Sequence, residues 1–140
     1  MGRISEECHE WSVPLLAMMY PRGENVTNPH DPEVVAHTAR IGAECGADIV
    51  KTLYTGNIDS FTKIVESIPV PVVIAGGPKA NTDIDILQMT EDAINAGAKG
   101  VTYGRNIFAH KQPEKIVEAL AGIIFKNQTA KEVASILDNQ

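Results

Sequence analysis

The 140-residue sequence predicts an α/β fold, in which four parallel strands alternate with helices. Three observations carry that expectation. Four short apolar runs recur at 13–20 (VPLLAMMY), 47–51 (ADIVK), 70–75 (VPVVIA) and 100–103 (GVTY). Each is too short for a helix and apolar on both faces, as parallel strands covered on both sides are. Between them lie segments of helical spacing with start and stop signals. The interval from strand to strand, about 25 to 33 residues, suits a βα unit. Periodicity leaves both a (β/α)8 barrel and a doubly wound sheet open.

The helices follow in order. Asp31-Pro32-Glu33 supplies a capping side chain, a proline at the first helical position and an acid in the first turn, so a helix is predicted from there to Gly46. Ile58, Phe61, Ile64, Val65 and Ile68 make the stripe of the next, which Pro69 stops. Thr82 opens a third, carrying Ile84, Leu87, Ala93 and Ile94 and closed by Gly97. Pro113 opens a fourth with Ile116, Val117, Leu120 and Ile124. Thr129 and Glu132 have the spacing of a capping box, which predicts a short last helix bearing Val133, Ile136 and Leu137. The expected organisation is a single domain over 1–140, of four βα units plus that short C-terminal helix.

Composition narrows the partners. With 44% hydrophobic and 21% charged residues, the chain is built like a globular domain. Its net charge is −6 and its Lys and Arg form no stripe, so no nucleic acid partner is expected. No apolar run approaches the roughly 20 residues that span a bilayer. The start MGRISEECHEW is polar and acidic, and a cytoplasmic protein without membrane association is expected. Cys8 and Cys45 read as reduced structural thiols. His9, His30, His37 and His110 lack metal-ligand spacing, and the glycine-rich nucleotide signatures are missing, so neither metal nor cofactor is predicted.

In parallel α/β folds, ligands bind beyond the carboxyl ends of the strands. Those ends read Met19-Tyr20-Pro21-Arg22-Gly23, Val50-Lys51-Thr52, Gly76-Gly77-Pro78-Lys79 and Gly104-Arg105-Asn106. Lys51 closes a buried-strand run, either as a snorkelling lysine or as an amine nucleophile. An imine forms from the neutral amine, which burial and nearby cations favour, and Arg22, Lys79 and Arg105 are the candidate cations. Tyr20 ends the adjacent strand, as a proton relay or as an aromatic packed on the rim. Tyr54 and Tyr103 are similarly placed. Gly76, Gly77 and Lys79 with Gly104 and Arg105 fit a phosphate site made by the last two loops, with a short helix over Asn106 to His110 beside it. Leu16, Met18, Ile49 and Ile74 are the expected inward-facing apolar residues.

The segments LLAMMYPRG (15–23), HDPEVVAHTARIGAECGADIVKTLYTGNIDSF (30–61), VVIAGGPKANTD (72–83) and GVTYGRNIFAH (100–110) resemble the archaeal-type class I (Schiff-base) aldolases of the fructose-bisphosphate aldolase superfamily. Within it, the similarity is greatest to the branch that serves aromatic amino-acid biosynthesis, the archaeal shikimate route. The resemblance covers nearly the whole chain. It implies the C-terminal half, strands 5–8, of a TIM (β/α)8 barrel. It further implies that Lys51 forms the Schiff base, that Tyr20 is the general acid/base, and that Gly76, Gly77, Gly104 and Arg105 bind phosphate.

The implied reaction is a transaldol step: a phosphorylated ketose bound to the lysine loses a carbon fragment, and the retained nucleophile attacks aspartate semialdehyde. Cleavage of fructose 1,6-bisphosphate by the same lysine is the alternative, and a phosphosugar-binding half-barrel without catalysis is another. Leu53 in the KTxYTG stretch and Thr102-Tyr103 before GRN depart from the family pattern, and are expected to reshape the phosphate end. A whole barrel is typically about 250 residues. The first four strands, and with them the family's catalytic aspartate, have no counterpart in this sequence. A homo-oligomer, or association with the missing N-terminal half, is therefore expected.

Overall fold

Alternation along the strands organises the molecule. The computed structural model describes residues 1–78 and 80–138. Strands β1 (Leu16–Met18), β2 (Ile49–Thr52), β3 (Val72–Ala75) and β4 (Gly100–Thr102) form one parallel sheet in the order β1-β2-β3-β4. The register aligns Ala17, Val50 and Val72 on one face, and Thr52, Ile74 and Val101 one step on. It aligns Met18, Lys51, Val73 and Gly100 on the other.

Helices cover only the first of these faces. Among the described residues they are α1 (Gly2–Glu10), α2 (Pro32–Glu44), α3 (Ile58–Ser67), α4 (Asp83–Asn95), α5 (Arg105–Phe108), α6 (Pro113–Lys126) and α7 (Ala130–Asp138). Val35 and Ala39 of α2, Phe61 and Ile64 of α3 and Ala93 of α4 share a core with Ala17, Val50, Val72 and Ile74. Burying a side chain such as Phe61 there contributes about 1.5–3 kcal/mol. Right-handed crossovers joining strands in sequential order place the connecting helices α2, α3 and α4 on one side. This is the arrangement of half a (β/α)8 barrel, and no switch point of a doubly wound sheet occurs within it.

The opposite face is open, where the apolar strand runs had suggested cover on both sides. Leu16 is 38% and Met18 65% exposed. Ile74, expected on the inner face, is fully buried beneath the helices, and Val73 occupies the open face in its place.

The helix signals act as read. Asp31 Oδ1 accepts from the N–H groups of Glu33 and Val34 at 2.9 and 3.3 Å. Thr82 and Asp85 cap α4 reciprocally, and Thr129 and Glu132 do the same ahead of α7. Ile86, Leu87, Ile116, Leu120, Ile123, Ala130 and Val133 form a second cluster among α4, α6 and α7. Ile84 and Val117, counted in the apolar stripes, are instead 41% and 49% exposed. Helix α1 has no buried residue and is tied down by Ser5 Oγ donating to Gly46 O at 2.9 Å. Cys8 and Cys45 are half-buried free thiols.

Candidate active site

Because Val50 and Thr52 turn into the helix-covered core, Lys51 between them must stand on the open face. There it is half-buried, with Met18 on β1 and Val73 on β3 as its register partners. Two hydrogen bonds lock the rim around it. Met19 N–H donates to Lys51 O at 2.8 Å, and the buried Thr52 hydroxyl donates to Met19 O at 3.1 Å. Tyr20, two residues past Met18, is thereby held at the same end of the sheet.

A cleft of about 350 Å³ opens at this end. Tyr20, Lys51, Gly76, Gly77, Gly104 and Arg105, all singled out in the sequence, line it together. Lys79 lies outside the described residues. Arg22 joins them, so Arg22, Lys51 and Arg105 contribute positive charge, and no carboxylate is among the described lining residues. In a chain of net charge −6, that is a local reversal of sign suited to an anion.

The two glycine loops are built differently. Gly77 has φ +63°, a left-handed conformation that glycine adopts without strain. Gly76 is instead a packing glycine, since a Cβ there would stand 2.7 Å from Cδ1 of Tyr103. An added Cβ on Gly104 would meet nothing within 4 Å. Arg105 bridges the loops by donating from Nη2 to Gly77 O at 3.0 Å.

Two residues that the sequence placed at strand ends without giving them a role at the site shape the rim. Thr52 is one. Asn106 is the other: it is 6% exposed and bonded to Gly76, Pro78 and Ala80. Their only sequence signal was a polar residue beside a strand end.

The remaining tyrosines do not enter the cleft. Tyr54 packs edge-on against Phe61 with ring centroids 5.2 Å apart, and burial, reinforced by the Asp92 carboxylate, pushes its phenol up from the usual value. Tyr103 bonds the Thr90 hydroxyl at 2.9 Å, and burial raises its phenol well above the ordinary range despite that bond. Of the three departures from the family pattern, Leu53 and Thr102 line the cleft and Tyr103 backs the loop from behind. Among the described residues no group of three or more His, Cys, Asp or Glu is placed to hold a metal ion. No described helix is long and apolar enough to cross a membrane.

Comparison with known proteins places this geometry. The model of the DeoC/LacD family aldolases matches residues 1–110. The chain is 47% identical over 133 residues to 2-amino-3,7-dideoxy-D-threo-hept-6-ulosonate synthase 1 of Archaeoglobus fulgidus, covering 94% of this chain and 48% of that protein. It is 43% identical over 129 residues to 2-amino-4,5-dihydroxy-6-oxo-7-(phosphonooxy)heptanoate synthase of Streptomyces griseus, covering 92% and 47%. An archaeal fructose-1,6-bisphosphate aldolase, solved with its catalytic Lys covalently bound to the carbinolamine intermediate of the substrate, matches with a TM-score of 0.84 and 38% identity, over 88% of this chain and 49% of that one. The chain spans about half the length of the curated relatives it matches. With the family model matching most of its residues, the chain belongs to the DeoC/LacD family of the class I aldolase superfamily, whose members are lyases and transferases.

Proposed function

We propose that this chain forms the C-terminal half, strands five to eight, of a Schiff-base aldolase barrel acting on a phosphorylated ketose. The observation that carries the reading is the convergence of Lys51, Tyr20 and the two loops of Gly76-Gly77 and Gly104-Arg105 on one cation-lined cleft. Lys51 Nζ adds to the ketose carbonyl and water leaves, giving an iminium. The carbon–carbon bond next to it then breaks as the neighbouring hydroxyl gives up its proton, and the bond's electron pair moves into the iminium to make an enamine. Tyr20 relays protons to and from the substrate hydroxyl. Gly76, Gly77, Lys79, Gly104 and Arg105 hold the phosphate; a guanidinium has five N–H donors, so the bond to Gly77 O leaves others for an anion.

Two readings of the substrate share this first half-reaction. Protonation of the enamine back to an iminium, followed by its hydrolysis to release the ketone and free Lys51, completes a fructose-1,6-bisphosphate cleavage, which the likeness to the solved archaeal aldolase supports. Attack of the enamine on an aldehyde acceptor, whose oxygen takes up a proton, and hydrolysis of the iminium so regenerated complete a transaldol reaction of aromatic amino-acid biosynthesis. The similarity to a 2-amino-3,7-dideoxy-D-threo-hept-6-ulosonate synthase supports that second reading.

The open face carrying Leu16 and Met18 takes up complementary strand and helix units, from a first half or from a second copy of this chain. Only a first half would bring the aspartate that the family places on strand one. Borohydride reduction in the presence of a phosphorylated ketose tests the reading: a covalent adduct is expected on Lys51 and none in Lys51→Arg. An adduct on another lysine, or none in the completed barrel, removes it.

A further inference from the structure

Asn106 uses both ends of its amide on the loop that follows β3. Its Nδ2 donates to Gly76 O at 2.9 Å and to Pro78 O at 3.2 Å, while Oδ1 accepts from Ala80 N at 2.8 Å. The side chain is nine-tenths buried, so these bonds replace water. A buried amide satisfied this fully fixes the groups it touches, because releasing any of them strands a polar atom. A second hold acts at the same point. The Tyr103 ring lies against Gly76, and its hydroxyl meets Thr90 Oγ1, which is anchored to Ile86 O at 2.7 Å. The loop is thus pinned by two neutral side chains, Tyr103 just past β4 and Asn106 of α5, beside the bond from Arg105 to Gly77 O.

Resting on the reading that Gly76, Gly77, Gly104 and Arg105 hold the substrate phosphate, we propose that Asn106 is a positioning residue for that phosphate. It keeps the Gly76-Gly77 backbone at a fixed offset from Arg105, the next residue back along the chain, whose guanidinium bonds Gly77 O. Two halves of an anion site on different loops act together only while that offset is kept. Asn106 makes no contact with Lys51 among its hydrogen bonds, so its effect falls on the phosphate end and not on the imine.

The test compares dihydroxyacetone phosphate with dihydroxyacetone as the carbonyl compound trapped on Lys51 by borohydride, in the wild-type chain, Asn106→Ala and the milder Asn106→Ser. The half-saturating concentration of each ketone is read from the yield of adduct by mass spectrometry. Wild type is expected to prefer the phosphorylated ketone, and the variants to lose that preference by roughly 10-fold while dihydroxyacetone is trapped at an unchanged concentration. Equal weakening toward both ketones, including complete loss through misfolding of both variants, overturns the inference by making Asn106 merely structural. An intact preference in both variants overturns it too. A wild-type chain that is not trapped even in the completed barrel, or that shows no preference for phosphate there, brings down the parent reading of the cleft as well.

Discussion

Met18 and Lys51 are register partners on adjacent parallel strands, and both stand on the sheet face that no helix covers. Neighbouring strands lie about 4.8 Å apart. Two residues further on, Tyr20 reaches the same cleft as the lysine. Tyr20→Phe is accordingly expected to leave adduct formation on Lys51 intact while slowing turnover of the completed barrel by about 10²–10⁴-fold, the usual contribution of a proton-transfer group. Rapid-quench trapping alongside steady-state rates measures both; an equal loss of adduct would mean that Tyr20 serves binding.

Arg105→Ala should weaken binding of phosphorylated sugars by about 1–3 kcal/mol, as loss of a charge-assisted contact does, with little effect on unphosphorylated analogues. Titration calorimetry reads this directly. Unchanged affinity would put the phosphate elsewhere.

The open face predicts association. Leu16 and Met18 are each worth roughly 1.5–3 kcal/mol if buried, and β1 and β4 are both edge strands. The isolated chain is expected to associate as concentration rises and to be a poor catalyst, and Met18→Glu to shift sedimentation toward the monomer. A monodisperse, fully active wild-type monomer would contradict the half-barrel reading.

Tyr54 Oη is buried and, among the described residues, has no hydrogen-bond partner. A stranded polar group of this kind costs about 1–3 kcal/mol. Tyr54→Phe keeps the edge-on contact with Phe61, so it should raise the denaturation midpoint. A fall would mean that the hydroxyl is satisfied in solution.

Glu132 carries a pH signature. Thr129 donates to its carboxylate from backbone N–H and from Oγ1, at 2.7 and 2.9 Å, which holds the folded pKa below the ordinary value of 4.5. A depressed carboxylate pKa gives stability that is full above the unfolded value and lost as pH falls through the folded one. Wild type should therefore melt above Glu132→Gln at neutral pH, with the gap closing as pH is taken below 4.5. A gap independent of pH would show that the charge plays no part.

What could be read from the sequence divides by distance along the chain. The caps at Asp31, Thr82 and Thr129 were legible because each side chain bonds backbone two or three residues on. Lys51, Tyr20 and the glycine loops were legible because strand ends in parallel folds carry the chemistry. The phase of β3 was not: Val72-Val73-Ile74-Ala75 is apolar at every position, and only pairing with β2 and β4 decides which residues face the helices. The hold of Asn106 on Gly76 spans 30 residues, beyond any local pattern. Helix α1 buries none of its residues, so no core contact marks its place in the fold.

The helices at the far end of the chain bear on the motion of the cleft. Leu87 and Ile86 of α4 are sealed in one cluster with Ile116, Leu120 and Ile123 of α6 and Val133 of α7, and Glu91 of α4 accepts the N–H of Ala130 at 2.7 Å. Helix α4 starts just after the loop that Asn106 pins. The segment beyond residue 110, where the family match ends, is therefore expected to steady α4 and, through it, the residues just ahead of that helix. When α7 frays, amide exchange along α4 and at Ala80 to Thr82 ahead of it is expected to quicken, although no residue lining the cleft has changed.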